Sequence, residues 1–311
     1  MIKKWSFLLI LFFISSTIKS QSFNTDSISV NSIINGSLLI PSNTKKIPLA
    51  IIIQGSGPTD RDGNQTNLKN NSLKFLAEGL NKNNIATFRY DKRLVKLILE
   101  GNFNESDIDF NDFISDSKAV SNYFKNDNRF SEIIIIGHSQ GSLVGMITAQ
   151  EKHITKFISI GGAGQEIDDV IVNQLEKQSP ALKDNARQSF DDLRVNGVSQ
   201  NYSTQLAAIF RPSLQNFMFS WMQYNPQIEI AKLTIPVLII NGDKDIQVQV
   251  SEAELLKNAS PTSQLEIIPL MNHIFKEIKG EYLENIQSYN KENLPVMPVL
   301  IETVSDFILN N

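Results

Sequence analysis

The run IIIIGHSQGSLVGMITAQ, residues 133–150, constrains this chain more than any other stretch. Four consecutive isoleucines make a strand that is apolar on both faces, and only a sheet covered on both sides buries such a strand. Small and apolar residues then recur at helical spacing without a break. Between the two stands Gly137-His138-Ser139-Gln140-Gly141, a G-x-S-x-G turn. A strand that enters a helix through so sharp a turn lifts the central side chain above the sheet edge. The flanking glycines suit that turn, because strand and helix backbones pass there at a distance where a Cβ would clash. Ser139 is therefore expected at the exposed edge, and the Gln140 amide at the positive end of the new helix.

The same alternation runs along most of the chain. PLAIIIQ (48–54), IATFRY (85–90), KFISIGG (156–162), IPVLIIN (235–241) and QLEIIPL (264–270) read as strands. Residues 71–84, 112–126, 251–259 and 297–309 read as amphipathic helices between or after them. Strands alternating with helices imply an α/β fold with a mostly parallel central sheet and helices on both faces. Residues 27–40 instead alternate apolar and polar side chains with Asn35-Gly36 inside, which suggests antiparallel strands at a sheet edge. Residues 165–230 are polar, helix-like and too long for a plain loop, so a helical cap insertion is expected there. With 311 residues, 41% of them hydrophobic, the chain can bury one large core, and a single domain over 21–311 accommodates it.

The N-terminus, MIKKWSFLLILFFISSTIKSQSF, has the form of an export signal. Lys3 and Lys4 precede a short apolar run, Ser6 to Ile14, and small polar residues lead to a cleavage point after Ser20. The run is short for a bilayer span, so residues 1–20 read as a signal peptide and the mature chain as secreted or periplasmic, without a stable membrane span. The rival is an uncleaved anchor. Removing Lys3, Lys4 and Lys19 would take the net charge from −4 to −7. Basic and acidic residues are interspersed, with no basic stripe of the kind nucleic-acid binding needs. The absence of cysteine excludes disulfides, thiolate metal sites and a cysteine nucleophile.

A serine hydroxyl is a weak nucleophile until a base takes its proton, and the chain has three histidines to choose from. His138 lies inside the turn and should point away from its neighbour. His153, between Glu151-Lys152 and a following strand, reads as surface. His273 follows QLEIIPL, on a loop at the sheet edge where Ser139 also emerges, because parallel strands share one such edge. His273 is the expected base. A base of this kind needs an acid to hold its tautomer. IPVLIINGDKDIQV offers Asp243 and Asp245. Asp243, nearest the turn, suits local backbone hydrogen bonds, and Asp245 lies further out, within reach of the histidine loop. Asp245 is the expected acid. The loop after PLAIIIQ reads GSGPTDRDGN, and its Ser56 amide, beside Gly55 and Gly57, is the expected oxyanion donor alongside Gln140. Asp60-Arg61-Asp62-Gly63-Asn64 resembles half of a calcium loop but lacks the remaining spaced ligands, so it reads as a turn and no metal site is expected.

With these pieces the chain resembles the serine α/β-hydrolase superfamily, and within it secreted bacterial serine aminopeptidase-like proteins and carboxylesterases. The resemblance rests on GSGPTDRDGN (55–64), FRYDKR (88–93), GHSQG (137–141), IFRPSLQNFMFSW (209–221), PVLIINGDKDIQV (236–248) and MNHIFK (271–276), in the order Ser, Asp, His. The family's usual acid position also favours Asp245. Two positions depart from the pattern: Gln54 stands where a histidine is usual, and LVKLILEGNF replaces a glycine-rich turn, so the loop at 94–104 is expected to be rebuilt. The implied chemistry is acyl transfer to water through Ser139, His273 and Asp245, with no cofactor, on a small ester, thioester or short-peptide substrate. Esters are favoured over peptides, because the cap acids Glu166, Asp168, Asp169 and Glu176 fall among lysines and polar residues, whereas 207–222 is apolar. A catalytically silent binding module is the rival from another class.

Overall fold

The computed structural model describes residues 24–42 and 46–310, and the expected signal peptide at residues 1–20 lies outside them. The chain opens with β1 (Asn24–Ser29) and β2 (Asn35–Ile40), an antiparallel pair at one edge of an eight-stranded sheet. It continues through β3 (Ile47–Ile53), α1 (Ser72–Lys82), β4 (Ala86–Tyr90), α2 (Arg93–Leu99), α3 (Phe110–Phe124), β5 (Phe130–His138), α4 (Gln140–Thr148) and β6 (Ile154–Ile160). Helices α5 (Ile167–Gln178), α6 (Lys183–Asn196), α7 (Ala207–Phe210), α8 (Pro212–Trp221) and α9 (Pro226–Ala231) follow before the sheet resumes. β7 (Val237–Gly242), α10 (Val250–Ala259), β8 (Gln264–Ile268), α11 (Tyr282–Ser288) and α12 (Pro298–Asn310) complete the chain. The strand order is β1-β2-β4-β3-β5-β6-β7-β8. From β4 to β8 every pairing is parallel, so all those strands end at one edge.

The isoleucine runs explain how both faces are covered. In β5, Ile133 and Ile135 enter one apolar core, with residues of α3, α4 and α10. Ile134 and Ile136 enter the other, with Leu73, Leu76 and Leu80 of α1 and Leu300, Val304 and Phe307 of α12. Successive side chains of a strand point to opposite faces, and here each face carries its own helical layer. A third apolar cluster joins Val172, Phe190, Leu193, Phe210 and Met218 within the segment between β6 and β7. Trp221 of that segment stacks on Phe110 of α3, ring centroids 5.5 Å apart, and so ties it to the sheet's helical layer. Among the described residues, no helix is long and apolar enough to cross a membrane.

Two local details differ from the sequence reading. Asn35-Gly36 does not form the turn of the edge hairpin. Asn31 does, its Oδ1 accepting the amides of Ile33 (2.8 Å) and Ile34 (2.9 Å). Gly36 sits within β2, where a Cβ would run into the Phe88 ring of the neighbouring strand. The stretch after RYDKR is not an open loop but begins as the short helix α2.

Candidate active site

β5 delivers Ser139 to the sheet edge and α4 carries the chain away without an intervening loop. Ser139 has φ 55° and ψ −123°, a conformation that a residue with a Cβ rarely adopts. The structure holds it there through contacts on both sides. Its amide donates to the Ile160 carbonyl of β6 at 3.0 Å. A Cβ on Gly137 would strike the Gly141 carbonyl, and one on Gly141 would strike the carbonyls of Ile53 and Gln54. Strain of this kind persists only where the surroundings enforce it.

His273 reaches the same edge from the loop after β8. Its Nδ1 lies 2.7 Å from Asp245 Oδ2, and both side chains are buried. Facing a carboxylate that only accepts, Nδ1 carries the proton and Nε2 is the basic nitrogen. The other Asp245 oxygen accepts the amides of Gln247 (2.8 Å) and Val248 (2.9 Å), which fixes the carboxylate. Asp243 is exposed and accepts the Leu270 amide at 2.6 Å, a contact to the segment after β8 and not a local turn bond, and it makes no hydrogen bond to the histidine. Buried Asn272 shapes the histidine loop, its Oδ1 accepting the amides of Ile274 (3.2 Å) and Lys276 (2.9 Å). Leu270 and Phe275, at φ 63° and 69°, bracket His273 in left-handed backbone. Ser139 and His273 line one small cavity together.

The loop after β3 approaches from the other side. A Cβ on Gly55 would lie 3.6 Å from Ser139 Oγ, so this backbone runs beside the hydroxyl. Thr59 Oγ1 and Gln65 Nε2 both donate to the Ser56 carbonyl at 2.9 Å and hold that peptide from behind. The Ser56 and Gln140 amides donate to no described residue, and Gln140 opens α4, where first-turn amides lack helical partners. Two ion pairs, Arg61 with Asp91 (2.5 Å) and Asp62 with Arg89, tie the loop to β4 and its end. Asp60 Oδ1 accepts the amides of Asp62 (2.9 Å) and Asn64 (2.8 Å), so the acidic stretch is a capped turn.

No family model matches the chain. It is similar to esterase EstD of Thermotoga maritima, 25% identical over 276 residues that cover 88% of this chain and 64% of that protein. The chain thus spans less than two thirds of the length of that curated relative. Among solved structures, Est1E from Butyrivibrio proteoclasticus superposes with a TM-score of 0.59 at 21% identity, covering 92% of this chain and 97% of the other. A dienelactone hydrolase from Anabaena variabilis gives 0.51 at 15% identity, covering 92% and 96%. The chain has the α/β-hydrolase fold.

This fold contains polar residues near the elbow whose placement the sequence does not signal. Lys92, in FRYDKR, is buried against the Phe113 ring, its Nζ 4.2 Å from the ring centre. Its ammonium donates to the Gly55 carbonyl at 2.9 Å and to Gln140 Oε1 at 2.5 Å, linking the β3 loop to the elbow. Burial pushes the Lys92 pKa down to about 7. His138 is buried too, with its ring packed on those of His273 (4.7 Å) and Phe275 (4.8 Å). Its Nε2 donates to the His273 carbonyl at 2.9 Å, so it supports the histidine loop. Burial lowers the His138 pKa to about 3, which keeps the ring neutral. His153, expected at the surface, is half-buried at the end of α4's turn, where Glu151 and Ile154 fold the chain back into β6.

Two cavities meet at Ser139. One, of about 210 Å³, is walled by Leu143, Ile167, Val170, Ile171, Trp221 and Val248. The other, of about 90 Å³, contains His273. No aspartate or glutamate lines either cavity. The four acids considered for an α-ammonium face basic side chains instead. Asp168 is paired with Arg187 (2.6 Å) and Arg194 (2.7 Å), Glu166 with Arg194 (2.8 Å), Asp169 with Arg187 (2.9 Å) and Glu176 with Lys183 (2.5 Å). The described residues hold no cluster of metal-ligating side chains.

Proposed function

We propose that this chain is a serine hydrolase of the carboxylesterase kind that cleaves esters of short-to-medium acyl groups. The observation that carries the reading is the strained Ser139 elbow sharing a cavity with His273, whose Nδ1 is held by buried Asp245. In this mechanism His273 Nε2 takes the Ser139 proton as Oγ attacks the ester carbonyl. The Ser56 and Gln140 amides receive the developing oxyanion. Both amides belong to backbone fixed on either side of Ser139, and donors fixed in advance need little reorganisation. His273 then hands the proton to the departing alkoxide, leaving an acyl-Ser139. A water deprotonated by His273 attacks that acyl group and releases the acid. The EstD likeness supports an ester substrate, and so does the apolar wall of the larger cavity. Export through residues 1–20 belongs to the same reading and puts the enzyme outside the cytoplasm.

An aminopeptidase must meet its substrate's α-ammonium with a carboxylate, because burying that charge alone is costly. The four cap acids are engaged by Arg187, Arg194 and Lys183, which favours the ester reading. The test is a fluorophosphonate probe together with a panel of p-nitrophenyl esters and aminoacyl-anilides. Ser139→Ala should abolish labelling and reduce turnover at least about 10³-fold. Butyrate or hexanoate esters should exceed anilides by at least about tenfold in kcat/KM. Labelling that survives in Ser139→Ala, or anilide turnover that requires a free amino terminus, would overturn the proposal.

A further inference from the structure

The two cavities differ in which catalytic groups they contain, and that fixes how a substrate lies. An alkoxide can take its proton only from a group within hydrogen-bond reach. His273 lines the smaller cavity and not the larger one. Given the serine-hydrolase reading, on which this step rests, the alcohol half of an ester occupies the smaller cavity and the acyl half the larger. The chemistry of the smaller cavity then describes the alcohol.

Its walls are rich in hydrogen-bonding groups without formal charge. They include Thr59, Gln65, Asn70, Ser72, Gln247 and Tyr289. Thr59 and Gln65 are partly engaged, since Gln65 Nε2 donates to Thr59 Oγ1 at 2.9 Å and to the Ser56 carbonyl. The Asn70 side-chain Nδ2 and the Ser72 hydroxyl line the cavity without a hydrogen bond to another described residue, while the Asn70 Oδ1 accepts the Ser72 amide at 3.0 Å. The Tyr289 hydroxyl is shielded from solvent beside Gln247 and has no partner of ordinary geometry. Burial pushes its pKa up, so it stays a neutral donor. Buried polar groups are ordinarily paired, by protein or by ordered water, and leaving one unpaired is costly. An alkyl alcohol would displace water from these groups without replacing its hydrogen bonds, whereas a hydroxylated alcohol would replace them.

We infer that the natural leaving group is an uncharged alcohol bearing at least one further hydroxyl, of the diol or polyol class, seated among Asn70, Ser72, Gln247 and Tyr289. The anionic and cationic alcohols are disfavoured by the same walls, which offer no counter-charge.

The test compares 2-hydroxyethyl butyrate with propyl butyrate, two esters with the same acyl group and the same number of non-hydrogen atoms. The quantity read is kcat/KM, which reports the acylation step in which the alcohol departs. The hydroxyethyl ester should be preferred at least about tenfold. Tyr289→Phe and Ser72→Ala should each shrink that ratio, and together bring it close to one. A wild-type ratio at or below one, with p-nitrophenyl butyrate still turned over, would overturn the inference and leave the serine-hydrolase reading standing. A ratio that both substitutions leave unchanged would also overturn it. No turnover of any ester, p-nitrophenyl butyrate included, would instead overturn the underlying reading.

Discussion

Lys92 offers a substitution in which activity and stability should separate. Its ammonium bridges the Gly55 carbonyl and Gln140 Oε1, and so connects the segments that carry the two amides proposed as oxyanion donors. Lys92→Met keeps the unbranched stem and removes the bridge. Two effects on stability then oppose each other. The drop in the lysine pKa from 10.5 to about 7 corresponds to roughly 5 kcal/mol that the buried cation costs the fold at neutral pH, and the substitution removes that cost. It also orphans two buried acceptors at about 1–3 kcal/mol each. The sum lies near zero, so denaturation at pH 7 should shift by no more than about 1–2 kcal/mol. The balance depends on pH with a defined sign. Because the folded pKa lies below the unfolded one, the unfolded chain holds the extra proton between about 7 and 10.5, and wild type gains stability as pH rises through that window. Lys92→Met lacks that gain and should be the less stable protein by about 3 kcal/mol more at pH 9.5 than at pH 7. Activity should follow a different course. Deleting an oxyanion donor outright costs about 10²–10³ in kcat. Here both donors remain and only their tether is lost, so kcat for p-nitrophenyl butyrate should fall about 10- to 100-fold, with KM changed no more than about threefold. Urea denaturation at both pH values and steady-state kinetics measure the two halves. A kcat within twofold of wild type would refute the tether argument, and a purely KM effect would point to substrate binding instead.

Two further predictions follow from neighbouring groups. Asp245→Asn should lower kcat by several orders of magnitude by disturbing the His273 tautomer, whereas Asp243→Asn, which only loosens the contact to the Leu270 amide, should cost less than about tenfold. Steady-state kinetics on both variants would show the reverse ranking if the acid were misassigned. His138 is held neutral, with a pKa near 3 against 6.5 when unfolded, so its contribution is complete above pH 6.5 and is lost as pH falls toward 3. Between pH 7 and 4.5 wild type should lose about 3 kcal/mol more stability than His138→Gln in urea titrations. Parallel pH profiles for the two proteins would contradict the buried neutral ring.

The parts of this molecule legible in its sequence are those set by residues close together in the chain. The elbow could be read because strand, turn and helix are contiguous over 133–150, and the glycine spacing states a backbone requirement that neighbouring residues alone explain. The ranking of Asp243 and Asp245 by local turn chemistry was not legible: Asp243 accepts the amide of Leu270, 27 residues on, and Asp245 both takes the local amides of Gln247 and Val248 and lies beside His273. The edge hairpin was legible as alternation but not in its turn. Asn31 competes with Asn35-Gly36 for that role and wins because Gly36 is needed beneath the Phe88 ring.

What could not be read are the polar groups whose partners come from distant segments. Lys92 sits in a charged string, Asp91-Lys92-Arg93, that any periodicity argument would assign to solvent. It is buried because Phe113 of α3, the Gly55 loop and the Gln140 side chain converge on it, and those lie 21, 37 and 48 residues away. The cap acids give the same lesson from the other direction. Their sequence neighbours suggested a solvated face, yet Asp168 is buried, and the partners that neutralise it, Arg187 and Arg194, come from the following helix. That distinction bears on function, because a solvated carboxylate could turn toward a substrate's ammonium. One fixed between two guanidinium groups would first have to break two charge-assisted hydrogen bonds, at about 1.5–3 kcal/mol each. The segment between β6 and β7 therefore supplies the larger cavity with Ile167, Val170, Ile171 and Trp221 while its acids are drawn into its own ion pairs. A wall that is apolar toward Ser139 and charge-paired elsewhere suits an acyl chain and gives an α-ammonium nothing to bind.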